Sequence, residues 1–124
     1  MIIDDDPAIR KLYKQMLSRK GFDVVTADNG RIALQKLKSR PVELVITDIF
    51  MPELDGIEFI AEVNKRKPDL KIIAVSGGNS YISPELYLSI AKNLGAVTIL
   101  DKPVKSHELI QTINDILDAE LIAV

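Results

Sequence analysis

The 124-residue chain has the length of one ordinary domain, and its 47% apolar and 27% charged residues match a folded globular chain that buries its own core, which argues against disorder and against a two-domain enzyme. Sixteen Lys and Arg against 18 Asp and Glu leave a formal net charge of −2, so charge supplies no general attraction to nucleic acid or to an anionic membrane. The absence of cysteine excludes disulfide frameworks, thiolate zinc sites and Cys nucleophiles, and fits a reducing compartment.

In chain order, the first apolar run is Ile2 and Ile3, followed at once by Asp4, Asp5 and Asp6. Two residues make a short strand, so one or two residues upstream of Met1 are expected to belong to it. Asp6 before Pro7 is a helix start, and Ile9, Leu12, Tyr13, Met16 and Leu17 follow at helical spacing up to Gly21, which suits a left-handed helix end. Val24 and Val25 mark a second strand ending at Ala27 before Asp28, and Pro41 closes the helix after it. Leu44 to Ile46 form the third apolar run, passing through Thr47 to Asp48. Pro52 and Gly56 shape the following turn, and Asp55 with Glu58 three residues on begins a helix that Pro68 closes.

Ile72 to Val75 form the fourth run, leading to Ser76, Gly77 and Gly78, and Ser83 before Pro84 starts a helix ending near Gly95. Val97 to Leu100 form the fifth run, leading to Asp101, Lys102 and Pro103. Ser106 before His107 opens the last helix, whose stripe is Leu109, Ile110, Ile113, Ile116 and Leu117. The longest uncharged run, Ile72 to Pro84, is too short to span a bilayer, and no signal-peptide pattern opens the chain, so a cytoplasmic protein is expected. No linker divides the sequence, and residues 1–124 read as one domain.

Nearly continuous apolar strands alternating with amphipathic helices predict an α/β fold, a doubly wound parallel sheet of five strands with five helices on its two faces. Such sheets bind ligands at the carboxyl ends of the strands. If the first and third strands are neighbours, Asp4, Asp5 and Asp48 converge in one crevice. Two like charges about 4 Å apart repel by roughly 4 kcal/mol at an effective dielectric of 20, so the cluster calls for a cation, a proton or a lysine. Oxygen-only donors favour a hard divalent ion, and two carboxylates completed by water and a backbone carbonyl suit Mg²⁺ better than zinc. Lys102 offers a compact positive charge, and Ser76 a hydroxyl.

The segments IIDDDPAIR, TDIFMPELDG, VSGG and LDKPV, each at a predicted strand end, together resemble the motifs of the receiver domain of two-component response regulators, single-domain chemotaxis and sporulation regulators among them. The resemblance covers essentially the whole chain and implies a flavodoxin-like strand order of 2-1-3-4-5. It implies that Asp48 accepts a phosphoryl group from a kinase's phosphohistidine, with Mg²⁺ as cofactor. Asp5 matches the direct metal ligand, Asp4 the ligand acting mainly through water, and Asp48 and the backbone carbonyl of Phe50 the further ones. Ser76 and Lys102 match the groups that bind the phosphoryl oxygens, and Lys102–Pro103 matches a bond that is usually cis. The implied partners are a sensor histidine kinase or histidine phosphotransfer protein and a downstream effector; self-association on phosphorylation stays open, and no nucleic acid or membrane is expected to bind the domain itself.

Each residue also has a plainer reading. Asp6 and Asp55 are read as helix caps, Asp101 as solvent-facing and His107 as a surface residue; the SGGNS stretch lacks the GxxxxGK[ST] pattern of a phosphate loop. A Mg²⁺-dependent phosphohydrolase with Asp48 as nucleophile is disfavoured because Phe50 stands where a second carboxylate would be, and a receiver-like module that is never phosphorylated is disfavoured because the site residues are all present. The chain departs from the family pattern at Ile99, where an aromatic residue is usual, and between Ser76 and Gly95, which is longer by about one helical turn of ~3.6 residues and carries Tyr81 and Tyr87. Output is therefore expected to rely on the 76–102 face, and on its helix more than on residue 99. No effector domain is expected within these residues.

Overall fold

The computed structural model describes residues 1–49, 56–76, 89, 93, 98–101 and 104–122. In order they form β1 (Ile2–Ile3), α1 (Pro7–Arg19), β2 (Thr26–Ala27), α2 (Gly30–Ser39), β3 (Leu44–Asp48), α3 (Gly56–Arg66), β4 (Lys71–Ser76), β5 (Thr98–Asp101) and a last helix, Ser106–Ile122. The strands make one five-stranded sheet in the order β2-β1-β3-β4-β5, and every pairing is parallel. Fold class and strand order are those expected. Four helices lie among the described residues; of the expected fifth, after Ser83 and Pro84, only Ser89 and Asn93 are described, both helical, and Asp55, Tyr81, Tyr87 and Gly95 lie outside the described residues.

Alternation along each strand divides the core into two layers. On one face Ile3, Val45, Ile72 and Ala74 pack with Ala33 and Leu37 of α2 and with Phe59, Ile60 and Val63 of α3. On the other, Ile2, Ile46, Ile73, Val75 and Leu100 pack with Tyr13 and Leu17 of α1 and with Leu109 and Ile113 of the last helix. The near-continuous apolar runs in the sequence follow from this: a strand covered on both sides has no polar face. Ile99 is half-buried in β5, paired with Ala74, and packs against the layer of α2 and α3.

Helix ends follow the local chemistry. The Asp6 side chain accepts a hydrogen bond from the Ala8 amide at 2.9 Å, and Pro7 occupies the first turn. At the other end of α1, Gly21 has φ +91°. Its amide donates to Ser18 at 3.1 Å and the Phe22 amide to Leu17 at 3.2 Å, the paired bonds of a left-handed terminus. Asn29, which the sequence reading passed over, caps α2 by accepting from the Ile32 amide at 2.9 Å.

Three expectations need correction in detail. Val24 and Val25 precede β2, although the Val25 carbonyl already accepts from Ile2 at 2.8 Å. Leu12 is 55% exposed and stands outside the buried stripe of α1; it lies about 100° of helical rotation from Tyr13, at the edge of the face that meets the sheet. The last helix makes its first bond from the Leu109 amide to the Lys105 carbonyl at 3.0 Å, so Lys105 rather than Ser106 holds the cap position.

Candidate functional site

Sheet register explains why distant carboxylates meet. Ile2 is paired with Ile46 and Ile3 with Thr47, so continuing the register by one residue sets Asp4 opposite Asp48 on adjacent parallel strands. Asp4 and Asp48 are buried, and Asp5 is exposed at the mouth of the crevice. One carboxylate oxygen from each of Asp4, Asp5 and Asp48 lies within 4.8 Å of the others. Their convergence was expected from sequence on the condition that the first and third strands were neighbours, and they are.

Hydrogen bonds shape the turn that carries two of the three. The Asp4 amide donates to the Ala27 carbonyl at 3.2 Å, tying the end of β1 to β2. The Asp4 carboxylate accepts from the Asp6 amide at 2.9 Å, and the Asp4 carbonyl from Arg10 Nη1 at 2.7 Å. The Asp6 carboxylate accepts from the Ala8 amide and is not one of the three that converge. On β3, the Ile49 amide donates to the Val75 carbonyl at 3.1 Å, so pairing with β4 continues past Asp48.

The donor set suits a hard cation. All the atoms are carboxylate oxygens, and two oxygens on one Mg²⁺ at about 2.1 Å are about 3 Å apart when adjacent and about 4.2 Å when opposite. Small rotations of the side chains, or a water in place of one of them, bring a cluster of this spread to those distances. Zinc, which prefers nitrogen and sulfur, is a poorer match.

Of the other expected site residues, Ser76 ends β4 and its backbone pairs in register with Asp101, which ends β5 and is exposed. The carboxyl ends of β3, β4 and β5 therefore lie side by side. The side chain of Ser76, and Phe50, Lys102 and Pro103 altogether, lie outside what the structure describes. Arg10 is the residue that sequence reasoning missed. Its position one turn into α1 is visible in the sequence, yet nothing there separates it from Lys11 or Lys14; only the hydrogen bond does.

A model of the response regulator receiver domain matches residues 1–114. The transcriptional regulatory protein GlrR of Escherichia coli is 36% identical over 118 residues, 95% of this chain and 26% of the relative. The response regulator receiver protein CpdR of Brucella abortus is 31% identical, with 96% of each chain covered. Among solved structures, a CheY-like response regulator receiver domain protein from Methanospirillum hungatei superposes with a TM-score of 0.90 at 32% identity, covering 99% of this chain and 95% of that one. The receiver domain of NtrX from Brucella abortus gives 0.85 at 29% identity, over 94% and 96%. The chain spans about a quarter of the length of the first regulators it matches, and nearly all of CpdR. Strand order, the crevice at the strand ends and these likenesses agree, and the chain belongs to the response regulator receiver domain family of two-component systems.

Proposed function

We propose that residues 1–124 work as a single phosphorylation-operated switch in which Asp48 accepts a phosphoryl group from a phosphohistidine on a histidine kinase or phosphotransfer protein. The observation that carries this reading is the convergence of Asp4, Asp5 and Asp48, with Asp48 buried at the end of a central strand. An Asp48 oxygen forms the new P–O bond as the P–N bond to the imidazole breaks, the nitrogen leaving with the electron pair and taking up a proton. Asp5, Asp4 and Asp48, with the Phe50 carbonyl, would hold Mg²⁺, which would supply neutralising charge for the phosphoryl oxygens and no covalent chemistry. Ser76 and Lys102 bind the phosphoryl oxygens, and their engagement alters the 76–102 face that meets a downstream effector. Hydrolysis of the acyl phosphate resets the switch, and in that limited sense the domain catalyses its own modification. Among the described residues no helix is long and apolar enough to cross a membrane.

Acetyl phosphate with Mg²⁺ tests the proposal. Wild-type protein is expected to gain one phosphoryl group by intact mass, and Asp48→Asn to gain none while keeping its circular dichroism spectrum; labelling of Asp48→Asn at the wild-type rate would refute the assignment.

A further inference from the structure

We infer that Arg10 is a positioning residue for the cation site: by holding the Asp4 carbonyl it sets the turn on which Asp4 and Asp5 stand. The inference rests on the reading of the acidic cluster as a divalent-cation site. Arg10 is half-buried and reaches back from α1, and its Nη1 donates to the Asp4 carbonyl at 2.7 Å, a short, charge-assisted bond. Its amide also donates to the Asp6 carbonyl at 3.0 Å, the first turn of the helix. The backbone of Asp4 is thus held on both sides, by Ala27 at its amide and by Arg10 at its carbonyl, while the Asp6 amide orients its carboxylate. Asp5 differs. Its side chain is exposed and makes no hydrogen bond among the described residues, so its place in the cluster is set by the backbone on either side of it.

A guanidinium bonded to the backbone of one of the three acidic residues invites a rival account, in which Arg10 only offsets negative charge. The two accounts predict opposite signs. A mere counter-charge competes with a bound cation, so removing it tightens cation binding. A residue that fixes the ligands lowers the cost of assembling the site, so removing it weakens binding, and outer partners of metal ligands are commonly worth 10- to 100-fold in affinity.

The test is Mg²⁺ titration by calorimetry of wild type, R10M and R10K, with hydrogen exchange of the metal-free proteins. R10M keeps the aliphatic stem and is expected to bind Mg²⁺ about tenfold more weakly. R10K, which can still donate to the carbonyl but lacks the planar fork, is expected to fall between. Faster exchange in R10M is expected to be confined to the Asp6 and Ala8 amides, the donors within this turn. Equal or tighter Mg²⁺ binding by R10M, or exchange accelerated throughout the domain, overturns the inference. If R10M does not fold, R10K decides: Mg²⁺ affinity equal to wild type overturns the inference, and weaker affinity supports it. Failure of wild type itself to bind Mg²⁺ would remove the cation-site reading, whereas binding by wild type with an unchanged R10M would remove Arg10 alone.

Discussion

Gly21 and Asp6 occupy opposite ends of α1, and each does what its own chemistry allows. At φ +91° a side chain crowds the backbone of its own residue, and a Cβ added at Gly21 would meet no other atom within 4 Å. The cost of Gly21→Ala is therefore backbone strain alone. It is expected to be about 1–2 kcal/mol, measured as a lower urea midpoint with an unchanged m-value. Asp6 was legible because its role is local: a short carboxylate followed by proline satisfies amides within the next turn. Arg10 was not legible because its partner is a backbone carbonyl, which the sequence does not mark. Asn29 lay between; Asn before Gly at a helix start is a cap signal that could have been read.

At the scale of elements, apolar runs located every strand, and the exact edges came from pairing. β1 is the pair of residues whose register sets them against Thr26 and Ala27 on one side and Ile46 and Thr47 on the other. That register decides where β2 lies, and no property of Val24 or Val25 alone could do so. Leu12 illustrates the limit of counting apolar residues at helical spacing, since the stripe that meets the sheet is narrower than the set of apolar positions. The order of the strands could not be derived from their apolar pattern and came from the family resemblance; the crevice depended on it. Asp6→Ala removes the cap that begins α1 and is expected to destabilise the domain by about 1 kcal/mol in urea unfolding. A loss below about 0.3 kcal/mol, the usual precision of such measurements, would mean the cap bond contributes nothing net.

For the whole molecule, the sheet joins two ends that differ in chemistry. The acidic crevice opens at the carboxyl ends of the strands, while at the opposite end the amino group of Met1 is buried and donates to the Leu44 carbonyl at 2.8 Å. Burial lowers the pKa of this amine from 8.0 to about 6. The sign follows from which state binds the proton better. The unfolded chain holds it more tightly, so stability of the 124-residue chain with a free Met1 amine rises as the pH climbs from 6 towards 8 and is flat in this respect above that. The full effect is about 3 kcal/mol. Acetylating the amine is expected to remove this part of the slope in urea unfolding; an unchanged slope would show that the amine is not the source. The central claim, that the crevice exists to place a phosphoryl group on Asp48, is tested most directly by trapping the acyl phosphate. After reaction with acetyl phosphate and Mg²⁺, borohydride reduction converts a phosphorylated aspartate to homoserine, which peptide mass spectrometry can locate. Homoserine at position 48 is the predicted result, and homoserine at Asp4, Asp5 or elsewhere with Asp48 unmodified would contradict the account.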